Sequence, residues 1–321
     1  MSSIQSVAII GCGAIGASWA ALFIAQGLTV KAFDINPSSE TYLRNLVREA
    51  FPVLSSIGLL KNKDAKPEDV IFTTSLEEAL QDVDFVQENG PERIDFKRKL
   101  FQQMGELVGK DVIIATSSSG LTCSSIQEGL NPAAGPERCV VGHPFNPPHL
   151  IPLVEVVGGS QTSPSTIQRT MKFYGNLGKK PIHLKKEVPG HVANRIQAAV
   201  MREVFHIVSQ DVCDVSDIDD AVSYGPGLRW GVMGPNMLVH LGGGEGGIEH
   251  FADHLLGPLQ TWYAPENPVV DEYLKSKWIE GTRRAVGERE YGGLTKQRDE
   301  ELVRLLNVRK DWDAFAEGNG K

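Results

Sequence analysis

The stretch from Val7 to Gly27, VAIIGCGAIGASWAALFIAQG, is uncharged, and the first charged side chain of the protein is Lys31. About 20 apolar residues suffice to cross a bilayer, so length alone allows a membrane span. Two features oppose that reading. A secretory leader carries basic residues ahead of its apolar core, and Met1 to Ser6 holds none. The glycines at 11, 13 and 16 also follow the spacing G-x-G-x-x-G, with the run Ser6 to Ile10 before them and an Ala/Leu/Phe-rich stretch after them. That pattern predicts a buried strand, a tight turn and a helix.

In such an arrangement Gly11 permits the turn, Gly13 lets the backbone approach a pyrophosphate, and Gly16 lets helix and strand pack closely. The helix start then offers unpaired N–H groups and a positive dipole end to the phosphates. Gly11, Gly13, Ala14, Ile15 and Gly16 are therefore the candidate cofactor contacts. Glycines in an apolar run also serve plain packing, and the next segment discriminates. Thr29 to Asp34 reads as a second strand ending in an acid, 18 residues beyond Gly16. This spacing suits a carboxylate on the adenosine ribose diol. A carboxylate there repels a 2′-phosphate, so the expected cofactor is NAD and not NADP.

A chain of 321 residues suggests two domains. A content of 41% hydrophobic and 22% charged residues is ordinary for a soluble globular protein. The net charge of −8 leaves no basic footprint for nucleic acid or an anionic membrane. Cys12, Cys123, Cys139 and Cys213 are scattered without C-x-x-C pairs, so no metal centre is expected and the thiols read as reduced. With neither a leader nor a C-terminal address in the sequence, the expected location is the cytoplasm.

Strand and helix patterns alternate to about residue 186. Val70 to Thr74, Asp84 to Glu88, Val112 to Thr116, Cys139 to Gly142 and Leu153 to Val157 read as strands. Arg93 to Val108 reads as a helix with Phe96, Leu100 and Met104 on one face. The alternation predicts an α/β fold with a doubly wound, parallel Rossmann-type sheet, which binds ligands beyond the carboxyl ends of its strands. After Pro189-Gly190 a long helix, His191 to Val208, begins, and helical patterns dominate from Val215 onward. The expected domains are a dinucleotide-binding domain over 1–187 and an all-α substrate and dimerisation domain over 188–321. Gly242 to Gly247 has no strand before it and no Lys-Ser/Thr after it, so it reads as a helix connection and not as a phosphate loop.

Four segments in order carry a resemblance: Ala115-Thr-Ser-Ser-Ser119-Gly-Leu121, Gly142-His143-Pro-Phe-Asn146-Pro147, Leu153-Val-Glu155-Val, and Pro189-Gly-His-Val-Ala-Asn194-Arg195. Together with the glycine turn they resemble the 3-hydroxyacyl-CoA dehydrogenase family. Gly225-Pro-Gly-Leu-Arg229-Trp230, followed by Met233-Gly234, is similar to the signature of the branch that contains λ-crystallin (L-gulonate 3-dehydrogenase) and L-carnitine dehydrogenase.

The chemistry is also legible in the residues. Oxidising a secondary alcohol requires a base for the hydroxyl proton while a hydride leaves carbon, and histidine suits that task. His143 lies beyond an apolar strand in a proline-rich turn, and Glu155 stands between Val154 and Val156. A carboxylate among valines is costly to bury without a partner. His143 is the expected partner, whose ring Glu155 would orient and whose cation it would stabilise. The resemblance implies the same two roles. His149 is the rival base, and no carboxylate is tied to it by pattern.

By motif position the resemblance also implies that Ser119 and Asn194 hydrogen-bond the substrate oxygen. It assigns Glu92 and Lys97 to the ribose and nicotinamide region, against the alternative of a solvated charge pair. Arg229 is the candidate cation for a substrate carboxylate, with helix capping or an interface as the alternative. A quaternary ammonium would need an aromatic cage, for which Trp230, Phe251, Trp262 and Tyr263 are available. The expected function is oxidation of the 3-hydroxyl of a small free 3-hydroxy acid, gulonate-like or carnitine-like. The alternatives are a short-chain 3-hydroxyacyl-CoA dehydrogenase, using Lys61, Lys63 and Lys66 for phosphates, and a crystallin-like structural or NAD(H)-sensing protein. A homodimer is implied by the resemblance.

Overall fold

The computed structural model describes residues 4–318. The chain divides into two units, Met1–Arg195 and Ile196–Lys321. The first is built on β1 (Ser6–Ile10), β2 (Thr29–Phe33), β3 (Ile71–Thr73), β4 (Phe85–Glu88), β5 (Ile113–Thr116), β6 (Cys139–Pro144), β7 (Leu153–Gly158) and β8 (Lys180–Leu184). These strands form one sheet in the order β3-β2-β1-β4-β5-β6-β7-β8.

The central strands β1, β4, β5, β6 and β7 are buried on both faces, whereas the edge strands β3 and β8 are partly exposed. Side chains alternate between faces along each strand. Val7 and Ile9 join the cluster with Trp19, Leu43 and Phe173, while Ala8 and Ile10 join the cluster with Leu80, Phe101 and Ile126. Helices α1 (Ala14–Ala25), α2 (Ser39–Ser56) and α6 (Pro164–Asn176) supply the first layer. Helices α3 (Leu76–Leu80), α4 (Ile94–Leu107) and α5 (Cys123–Gln127) supply the second. Helix α1 is buried from Gly16 to Ala25, so its lack of charge reflects enclosure by protein. No described helix is long and apolar enough to cross a membrane.

Two details depart from the expected pattern. The sheet is parallel except between β6 and β7, which run antiparallel. Residues 145–152 join them without a helix, and a parallel return needs a crossover of about a dozen residues or more. On α4 the buried set is Lys97, Leu100, Phe101, Met104 and Gly105, whereas Phe96 is exposed. A buried lysine takes the place on the inner face that the apolar pattern assigns to a phenylalanine.

The division between units falls inside α7 (Ala193–Ser209). It is followed by α8 (Val215–Tyr224), α9 (Pro226–Val232), α10 (Pro235–Gly242), α11 (Gly247–Gln260), α12 (Glu272–Val286) and α13 (Tyr291–Gly318), with no strand among the described residues. The buried cluster here is small: Val208, Ile218 and Leu274, with Phe205 meeting the Trp278 ring edge-on at 5.3 Å.

Candidate active site

Strand β1 pairs with β2 on one side and β4 on the other, so the chain reverses its winding direction at the glycine turn. Ligands of doubly wound sheets bind at such a switch point. Each glycine has a distinct steric reason. Gly11 has φ +92°, and a Cβ there would press on the Asn89 carbonyl at 3.0 Å. A Cβ on Gly16 would lie 1.9 Å from the Gly11 oxygen, so only glycine lets α1 start this close to the turn. A Cβ on Gly13 would meet nothing within 4 Å, because that position opens on a cleft.

The cleft, about 650 Å³, is lined by Gly11, Gly13, Asp34, Asn89, Pro91 and Phe96 among others. No side chain caps α1, so the N–H groups of Ala14, Ile15 and Gly16 are available to an anion. Asp34 accepts from the Cys12 N–H at 2.9 Å and the Asn36 N–H at 3.0 Å, which fixes its carboxylate beside the turn. An open glycine, an uncapped helix start and a carboxylate on one cleft fit the pyrophosphate and ribose of NAD. Burial, reinforced by the Asp34 charge, pushes the Cys12 thiol up to about 12, consistent with a packing role.

The antiparallel pairing of β6 and β7 places His143 directly opposite Glu155. His143 Nδ1 lies 2.9 Å from Glu155 Oε2, and Glu155 has no exposed surface. The other carboxylate oxygen accepts from Val192 N–H at 2.9 Å and Ala193 N–H at 3.0 Å, at the start of α7. Burial pushes the Glu155 carboxyl up, but the hydrogen bonds from His143, Ala193 and Val192 outweigh it and hold the group below its ordinary value. An ionised Glu155 on Nδ1 leaves Nε2 of His143 as the ring nitrogen free to accept a proton.

Ser119 is exposed just beyond the carboxyl end of β5. Its loop is gathered by Glu92, whose Oε1 accepts from Ser118 Oγ at 2.6 Å and from the N–H groups of Ser119, Gly120 and Leu121 at 2.8 to 3.2 Å. Burial raises the Glu92 carboxyl, yet the Ser118, Gly120 and Leu121 bonds and the Lys97 charge bring it below its ordinary value. Lys97 is not a solvated partner of Glu92. Its Nζ is buried and donates to both oxygens of Glu88 at 2.9 and 2.8 Å, with Glu92 Oε2 farther at 3.7 Å. Lys97 thus pairs with Glu88 inside the fold, while the exposed Glu92 gathers the Ser118–Leu121 loop from its surface side.

Asn194 is half-buried on the first turn of α7, next to the two N–H groups that grip Glu155. Arg229 belongs to the second unit, exposed on α9. Trp230, Trp262 and Tyr263 are exposed in the same unit. His149 is buried, with Nδ1 2.8 Å from Ser18 Oγ, and that oxygen also accepts the His149 N–H. Lys61, Lys63 and Lys66 are exposed, and Lys61 Nζ donates to the Asn176 carbonyl at 2.7 Å. Among the described residues no group of His, Cys, Asp and Glu could hold a metal.

Sequence reasoning overlooked Glu88 and His191. Glu88 ends β4, whose four residues Phe85, Val86, Gln87 and Glu88 are all buried, and an acid buried there needs a counter-charge, which Lys97 supplies nine residues on. His191 follows a Pro-Gly turn, and only the fold brings its ring to 5.0 Å from that of His143.

Known proteins share this architecture. The 3-hydroxyacyl-CoA dehydrogenase NAD binding domain matches residues 6–188, and the C-terminal domain of the same family matches residues 190–285. L-carnitine dehydrogenase of Streptomyces griseus is 42% identical over 307 residues, covering 95% of this chain and 90% of that one. L-carnitine dehydrogenase of Pseudomonas aeruginosa is 40% identical over 315 residues, covering 98% and 97%. Among solved structures, 5-formyl-3-hydroxy-2-methylpyridine 4-carboxylic acid 5-dehydrogenase, an NAD+-dependent dismutase, superposes with a TM-score of 0.83 at 30% identity, covering 97% of this chain and 99% of that one.

Proposed function

Because the chain belongs to the 3-hydroxyacyl-CoA dehydrogenase family of NAD-dependent oxidoreductases acting on CH–OH groups, we propose that it oxidises the 3-hydroxyl of a small free 3-hydroxy acid, carnitine foremost, to the 3-keto acid. The observation that carries the chemistry is the bond between His143 Nδ1 and Glu155 Oε2. His143 Nε2 takes the hydroxyl proton, and the ionised Glu155 holds the ring in orientation and stabilises the cation that forms. Ser119 and Asn194 hold the reacting oxygen, and Glu92 sets the loop on which Ser119 stands. NAD, held by the glycine turn and Asp34, supplies the hydride acceptor when bound.

The preference for a free acid rests on relatives named for carnitine that match over nearly the whole chain. The lysines considered for CoA phosphates are exposed, and Lys61 lines a cavity of about 400 Å³ with Arg169 and Lys172, so the thioester stays in the substrate comparison. Arg229 is our candidate for the substrate carboxylate. The test is NAD reduction, followed by absorbance, with L-carnitine, L-gulonate, 3-hydroxybutyrate and 3-hydroxybutyryl-CoA. Fastest turnover of carnitine is the expected result. Fastest turnover of the thioester would transfer the assignment to acyl-CoA oxidation, and silence on all four would remove the substrate reading.

The working form we propose is a homodimer. Leu228, Val232, Met237, Leu241, Leu256 and Trp262 are exposed in a unit whose buried cluster among the described residues is Val208, Ile218 and Leu274. Apolar surface on that scale suits a partner of the same kind. Size-exclusion chromatography with light scattering should return the mass of two chains, and a monomer mass would refute the proposal.

A further inference from the structure

The dyad leaves a second imidazole unexplained. His191 is 1% exposed, and its Nε2 lies 3.0 Å from the Ser118 carbonyl oxygen. A carbonyl only accepts, so Nε2 carries the hydrogen and Nδ1 of the neutral ring is a bare lone pair. That Nδ1 is buried and has no hydrogen-bond partner among the described residues. Buried polar atoms without partners are uncommon, and each calls for a reason.

The backbone is constrained as well. Pro189 and Gly190 form a turn closed by the His191 N–H on the Val188 carbonyl at 3.1 Å. Gly190 has φ +74° and His191 has φ +53°, a left-handed conformation that disfavours any residue with a side chain. Such backbone persists where its surroundings hold it, and here both ends are held. The ring grips Ser118, while the next two N–H groups, of Val192 and Ala193, grip Glu155.

We infer that His191 is a positioning residue of the dehydrogenase site, tying the β5 loop that carries Ser119 to the start of α7 that carries Asn194. The inference rests on the proposed dyad chemistry. The groups that face His191 are His143 from β6, Glu155 from β7 and Glu92 from the segment after β4. Burial lowers the His191 pKa, and proximity to His143 lowers it further, against the Ser118 carbonyl, Glu155 and Glu92. A neutral His191 leaves His143 free to take the substrate proton without a second cation 5.0 Å away.

Two measurements test this together. Nitrogen-15 NMR of the wild-type protein at neutral pH, with no substrate present, should show His191 protonated at Nε2 and bare at Nδ1. The opposite tautomer would overturn the tie to Ser118, whatever the substrate proves to be. In turnover with the acid that the assay above selects, His191→Phe keeps a ring but loses the donor. It should lower kcat by about tenfold with KM within about twofold. His191→Gln, whose amide can donate to the same carbonyl, should recover most of that loss. Equal kcat in wild type and His191→Phe would overturn the proposal, and so would an equal loss in both variants. If the wild type turns over none of the acids, the substrate reading fails while the ring tautomer still decides the role of His191.

Discussion

Replacing His143 with Gln is expected to lower kcat by about 10²- to 10⁴-fold, while NAD affinity and the unfolding midpoint stay near wild type. The glutamine amide can still donate to Glu155, so the strand pairing that carries both residues has no reason to open. What it lacks is a nitrogen lone pair that can accept the hydroxyl proton. Steady-state turnover, NAD titration by fluorescence and urea unfolding separate these readouts. Undiminished kcat in a folded His143→Gln protein would show that the base is another group, and the dyad reading would fall with it.

Lys97→Met is expected to destabilise the protein by about 3 to 5 kcal/mol, because it strands a charge in the interior. Glu88 has no exposed surface, and after the change its oxygens would keep the Thr116 hydroxyl at 2.6 Å and the Gly90 N–H at 2.6 Å but no counter-charge. Removing both charges leaves no such orphan, so the double variant Glu88→Gln with Lys97→Met should recover most of the loss. Urea unfolding checks both. A Lys97→Met protein as stable as wild type, but with weakened NAD binding, would show Lys97 to be a direct cofactor contact.

The parts of this protein legible in its sequence are those set by near neighbours. Gly11, Gly13 and Gly16 are dictated by a turn, a cleft and a close approach within a few residues, and such local geometry leaves a fixed spacing. Glu155 betrayed its need for a partner because an acid between valines must be paired to be buried. The helical second unit was visible in the periodicity after residue 190.

Tertiary structure alone decided the rest. Periodicity places a residue on a face but says nothing of what that face meets, so Phe96 turns to the cleft while Lys97 enters the core to reach Glu88. The antiparallel return of β7 follows from a connection too short for a crossover, and it alone puts His143 and Glu155 in register. His191 reaches Ser118 across 73 residues of chain. No local pattern records such a contact, because long-range neighbours exist only once the sheet has assembled.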